Sequence, residues 1–121
     1  MIKLLDGFPS DVVAASATGL VTGQDYETVL IPRVEAVART NEKIRCYYEI
    51  GPDFSGMAPG AMLEDLRVGV GYWTRWDRVA VITDVAWITQ VVNAFRFLMP
   101  GSLRVFPSRD KEAASAWIKA A

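Results

Sequence analysis

Five short strand-forming runs alternate with helix-period runs along these 121 residues, and that alternation limits the folds open to the chain. The strand-like runs are residues 1–5, 12–18, 44–50, 79–82 and 103–106. The first two are too close for a crossover helix, so they are expected to pair antiparallel. A helical stretch separates each later run from the next, which implies right-handed crossovers and parallel pairing. The expected architecture is α/β: a single domain, residues 1–121, with about four helices on a five-stranded, mostly parallel mixed sheet. The order is β-β-α-β-α-β-α-β-α, with the first strand at an edge or beside its hairpin partner.

Local signals place the helices. Thr22 reads as an N-cap, with Asp25 three residues on completing a weak capping box. Tyr26, Leu30, Val34, Val37 and Ala38 then share one face. Pro32 falls inside this helix and should kink it near Thr28; Asn41 should end it. Residues 51–60, with three glycines and two prolines, read as a loop. A short helix spans 60–66, and residues 68–73 are ambiguous between a helix end and a strand. Thr83-Asp84 reads as the cap of the next helix, with Asp84 as the capping side chain. In that helix Trp87, Val91, Phe95 and Leu98 form the expected core stripe, Ile88, Val92 and Met99 widen it, and Phe97 falls elsewhere. Pro100-Gly101 stops it. Ser108 is expected to cap the last helix, where Trp117 and Ile118 pack inward.

Composition closes off several functions. Apolar residues are 51% of the chain, which excludes disorder, and thirteen basic against fourteen acidic residues leave a net charge of -1. No nucleic-acid partner follows from that balance. No apolar run approaches the roughly 20 residues of a membrane span, and no signal-peptide core is visible. The expectation is a cytoplasmic protein, with peripheral membrane contact left open. There is no histidine, so Ser-His-Asp chemistry and His-based metal sites are absent. Cys46, the sole cysteine, reads as a small buried hydrophobe; a nucleophile would need a basic partner. Glu64 and Asp65 are adjacent on a helix, point apart, and read as salt-bridged surface residues rather than an acid-base pair. No catalytic residue, metal ligand or cofactor is expected.

Three features could bind something. The 51–60 loop follows a strand's carboxyl end, where open α/β sheets hold ligands. Phe54, Ser55 and Gly56 are its candidate contacts, and backbone N–H groups of the next helix could hold an anion. The plain reading is a connecting loop. Tyr72, Trp73 and Trp76, next to Arg75 and Arg78, suit an amphipathic ligand or a bilayer interface; the plain reading is a helix end packed on the sheet. The helix from Trp87 to Met99 is more apolar than one buried face requires. Trp87 and Phe97 are its candidate membrane or partner contacts, and the apolar excess also fits a homodimer. The plain reading is deep burial.

The chain resembles the STAS-type domain and, more closely, the SpoIIAA-like proteins. The resembling segments are Gly19-Leu20-Val21-Thr22 before Asp25-Tyr26, Pro32, Lys43-Ile44-Arg45 and the strand to Ile50, and Phe54-Ser55-Gly56. Asp77-Arg78-Val79-Ala80-Val81, Asp84 with Trp87-Ile88, and Met99-Pro100 ahead of Leu103-Arg104-Val105-Phe106 follow. Their order and spacing carry the likeness, over roughly residues 4–118. The resemblance implies a non-enzymatic module that binds a small lipid or anionic amphiphile, associates peripherally with membranes, and is akin in fold to CRAL-TRIO lipid-binding domains. The alternative it implies is a regulatory partner of the anti-sigma-factor-antagonist type. There a serine opening the helix after the third strand is phosphorylated; the matching position is Ser55, but the usual Asp-Ser-Ser/Ala-Gly pattern is absent.

Overall fold

The computed structural model describes residues 1–120. Strands β1 (Ile2–Leu4), β2 (Val12–Val21), β3 (Ile44–Met57), β4 (Trp76–Ile82) and β5 (Ser102–Phe106) lie in the spatial order β1-β2-β3-β4-β5. β1 is antiparallel to β2 at one edge, and the other pairings are parallel. A continuous helical run links β2 to β3: α1 (Gly23–Asp25), a π turn (Tyr26–Leu30) and α2 (Ile31–Thr40). Next, α3 (Pro59–Gly71) links β3 to β4, and α4 (Ala86–Phe95) links β4 to β5. Last comes α5 (Lys111–Lys119), after a 3-10 turn at Ser108–Asp110. The expected α/β order is therefore the order observed.

The sheet advances one place per crossover in a constant direction. Right-handed connections of that kind put every crossover helix on one face. Alternate residues of the central strands face two cores. Val13, Ala15, Ala17, Ile44, Cys46 and Ile50 meet Tyr26, Leu30, Val34, Val37, Ala61 and Ile88 on the crossover side. Val12, Ala14, Tyr47, Ala80, Ile82 and Phe106 lie beneath Ala114 and Ile118 of α5 on the other. Burial on both faces is why these strands read as near-continuous apolar runs.

The capping box forms as expected: Thr22 Oγ1 accepts from the Asp25 N–H at 3.2 Å, and Asp25 Oδ2 accepts from the Thr22 N–H at 2.8 Å. The disturbance at Pro32 is a π turn. The Ile31 N–H donates to the Tyr26 carbonyl, five residues back, and Pro32 falls in the first turn of α2, where an N–H is dispensable. Asn41 ends α2, its Nδ2 donating to the Val37 carbonyl at 3.0 Å. The turn before β5 needs Gly101, because a Cβ there would run into the carbonyl oxygens of Trp76 and Asp77.

Three local expectations are corrected and one open reading is resolved. Residues 51–57 are strand, because β2 and β3 keep pairing through Gly19–Phe54, Leu20–Gly56 and Val21–Met57. The register skips between Ala17 and Gly19, so Pro52 sits in a bulge where its missing N–H breaks no ladder bond. The ambiguous 68–73 stretch is helix to Gly71, then a turn. Asp84 does not cap α4: Thr83 Oγ1 accepts from the Val85 N–H instead, at 3.0 Å. Asp84 reaches across to Ser108, accepting from its N–H (3.0 Å) and Oγ (2.5 Å), so Ser108 ties two strand ends together and caps no helix.

Candidate functional site

The structure separates the two groups of ligand candidates. Phe54, Ser55 and Gly56 lie at the carboxyl end of β3, whereas Trp76 pairs with Ile44 at its amino end. Nine strand residues, 45–53, intervene, roughly 30 Å. Ser55 is exposed on extended chain four positions before α3, so it does not open a helix. Gly56 follows Ser55, which is unpaired in the β2 register, and itself pairs with Leu20, at φ +146°, a value that suits glycine. At the other end, Trp76 is buried and meets Tyr72 edge-on, with ring centroids 6.3 Å apart. The Arg75 guanidinium lies 5.7 Å from the Tyr72 ring centroid and donates to the carbonyls of Ala38, Asn41 and Glu42. This cluster closes the carboxyl end of α2, as a cation there should; Tyr72, Trp73 and Arg75 are partly exposed.

Exposed apolar surface gathers instead on α3 and α4. Within α4 only Ile88 is fully buried, with Val92 partly covered. The expected core stripe is reversed: Trp87 (42% exposed), Val91, Phe95 and Leu98 face outward, and Phe97, 84% exposed, stands just beyond the helix. The smaller side chains Ile88 and Val92 took the sheet-facing side, where helix and strands approach closely. On α3, Ala61 is the sole buried residue, while Met62, Leu63, Leu66 and Val70 are exposed. Below these helices the sheet is not sealed: Tyr48, Val79 and Val81 face the crossover side yet remain partly exposed. The exposed side chains of the two helices and this floor share one side of the sheet and make up an apolar surface, referred to below as the α3–α4 trough. Sequence reasoning missed the α3 wall, although Met62, Leu66 and Val70 recur at helical spacing.

One polar group sits in this layer. Tyr26 Oη donates to Asp65 Oδ1 at 2.8 Å and lies 3.0 Å from Tyr48 Oη. Asp65 is thus bonded to a tyrosine and not salt-bridged as expected, whereas Glu64 does pair with Arg67 at 3.3 Å. Desolvation by the surrounding protein raises the Asp65 pKa, against the pull of the Tyr26 hydrogen bond. Desolvation, followed by the Asp65 charge, also pushes the Cys46 thiol up to about 12, so this buried cysteine is no nucleophile at neutral pH. Among the described residues no three carboxylate or thiol groups gather as a metal site would require. Nor is any helix among them long and apolar enough to cross a membrane.

The family model described as SpoIIAA-like matches residues 12–119. The chain belongs to the SpoIIAA-like family. A solved structure of similar shape is an uncharacterized protein of the DUF3478 family with a SpoIIAA-like fold, from Shewanella loihica PV-4. Its TM-score is 0.76 at 23% identity, over 97% of this chain and 93% of that one, a likeness of fold. No curated protein matches. The family match spans β2 to α5, and the trough is read from this chain's own side chains.

Proposed function

We propose that this SpoIIAA-like chain is a non-enzymatic binding module that holds an amphipathic lipid in the α3–α4 trough and touches a membrane surface through Trp87 and Phe97. The observation that carries this reading is the row of large apolar side chains left exposed on two neighbouring helices above a partly open sheet. Such contiguous exposure costs solvation free energy with no return in folding, so a surface that keeps it has an apolar occupant. The occupant is amphipathic because the trough has apolar walls and one polar spot, the Tyr26–Tyr48–Asp65 cluster, able to meet a headgroup or hydroxyl. Trp87 suits the bilayer boundary, with an apolar ring and one N–H donor.

Solvent extraction of the purified protein followed by mass spectrometry tests the ligand. The expected result is a lipid that co-purifies with the native chain and is lost from a Leu66→Asp variant. Extracts empty of lipid from several preparations would contradict the reading.

A further inference from the structure

The far edge of the sheet carries a second feature, independent of the trough. β5 ends the sheet, and among the described residues no strand lies beyond it. The Thr83 N–H donates to the Phe106 carbonyl, so the backbone groups of Phe106 face β4. Strand alternation then turns those of Leu103 and Val105 outward, where they have no ladder partner. Alongside this edge runs a groove of about 430 Å3, lined by Thr83, Thr89, Asn93, Arg96, Arg104 and Val105 among others. Thr89 and Asn93 are the polar side of α4.

Charge selects the occupant. No carboxylate lines this groove, and among the described residues neither Arg96 nor Arg104 has an ion-pair partner. The nearby Asp84 is already engaged by Ser108. The two guanidinium groups flank β5 from opposite sides. Arg96 comes from the end of α4 on the crossover face. Arg104 lies over the rings of Phe106 and Trp117, at 4.7 and 5.1 Å, on the α5 face. A strand added to β5 would therefore have a cation above it and a cation below it. A second copy of this chain fits badly, because pairing β5 with itself would set Arg104 near its own image. An extended segment with acidic side chains on both faces satisfies the backbone and both arginines.

We propose that β5 and the α4 groove bind an extended acidic segment of a partner protein by strand addition. The probe is a blocked, fluorescein-labelled hexapeptide, Thr-Glu-Val-Val-Glu-Thr, whose glutamates fall on opposite faces of a strand. Fluorescence anisotropy against the full chain should show saturable binding. Arg96→Glu and Arg104→Glu should each weaken it by roughly fivefold to tenfold. Arg104 stacks on two rings, one of them buried, whereas Arg96 lies only over the exposed Phe97 ring at 5.3 Å, so Arg96→Glu, at an exposed helix end, is the decisive variant. A peptide with alternate backbone nitrogens methylated should bind at least about tenfold more weakly, since strand addition uses the main chain. Leu66→Asp, on α3, should leave binding unchanged, which separates this edge from the trough. Absence of binding, equal binding by the methylated peptide, an unaffected Arg96→Glu variant, or displacement by millimolar phosphate would each overturn the proposal.

Discussion

The helices α4 and α5 are nearly the same length and cover opposite faces of the same sheet, yet they are finished differently. In α5, Ala114 and Ile118 are fully buried, while Lys111, Glu112 and Lys119 face solvent. Its carboxyl end is clamped. Arg45 Nη1 donates to the carbonyls of Ile118 and Ala120, and Arg78 Nη1 to those of Trp117 and Ala120. Arg45 is itself held by Asp11 at 2.8 Å. By contrast, α4 buries one residue fully and leaves Trp87, Val91 and Phe95 exposed. The first helix is fitted to its sheet; the second retains an apolar face that folding does not use. That difference is the reason the proposed binding surface is on the crossover side.

If the comparison is right, stability should respond to α5 and binding to α4. The largest stability effect is expected at Ile118→Ala, which leaves a cavity under α5 and should cost about 3 kcal/mol in urea unfolding. Arg45→Ala strips partners from Asp11 and from the last carbonyls of α5, and should cost about 2 kcal/mol by the same assay. Thr22→Ala removes the capping side chain of α1 and should cost about 1 kcal/mol.

Asp65→Asn sharpens the contrast through pH. The folded-state pKa of Asp65 is raised, so its contribution is full below the ordinary value of 3.8 and declines as pH rises through the folded value. Asparagine still accepts from Tyr26 but carries no charge. The variant should be more stable than wild type at pH 7, and the gap should close in acid unfolding series near pH 3. A gap that widens in acid would contradict this sign. The smallest stability effect belongs to Phe97→Ser, within about 0.5 kcal/mol of wild type, because Phe97 has little packing to lose.

Much of this fold was legible because local chemistry and topology agree. The Thr22–Asp25 pair capped the helix it should, and the short turn at Asp6-Gly7 forced β1 antiparallel. Legibility failed where long-range pairing overrode local signals. Gly51-Pro52 resembles a turn, yet β2 carries β3 on through a bulge to Met57. In α4, two apolar stripes lie side by side, and periodicity cannot say which one the sheet will accept. Trp87, Val91, Phe95 and Leu98 were assigned to the core and are exposed, whereas Phe97, placed off that stripe, is exposed as well. Beside Tyr72 and Trp76, the role of Arg75 was not legible, because the carbonyls ending α2 that it holds are distant in sequence.

Flotation with neutral vesicles at physiological salt tests the central claim most directly, since surface charge attraction is largely screened there. The account predicts that wild type floats, that Ile118→Val floats equally, and that the double variant Trp87→Ser, Phe97→Ser stays at the bottom while unfolding at the wild-type urea midpoint. A folded double variant that floats as well as wild type, or a wild type that never floats, would contradict it.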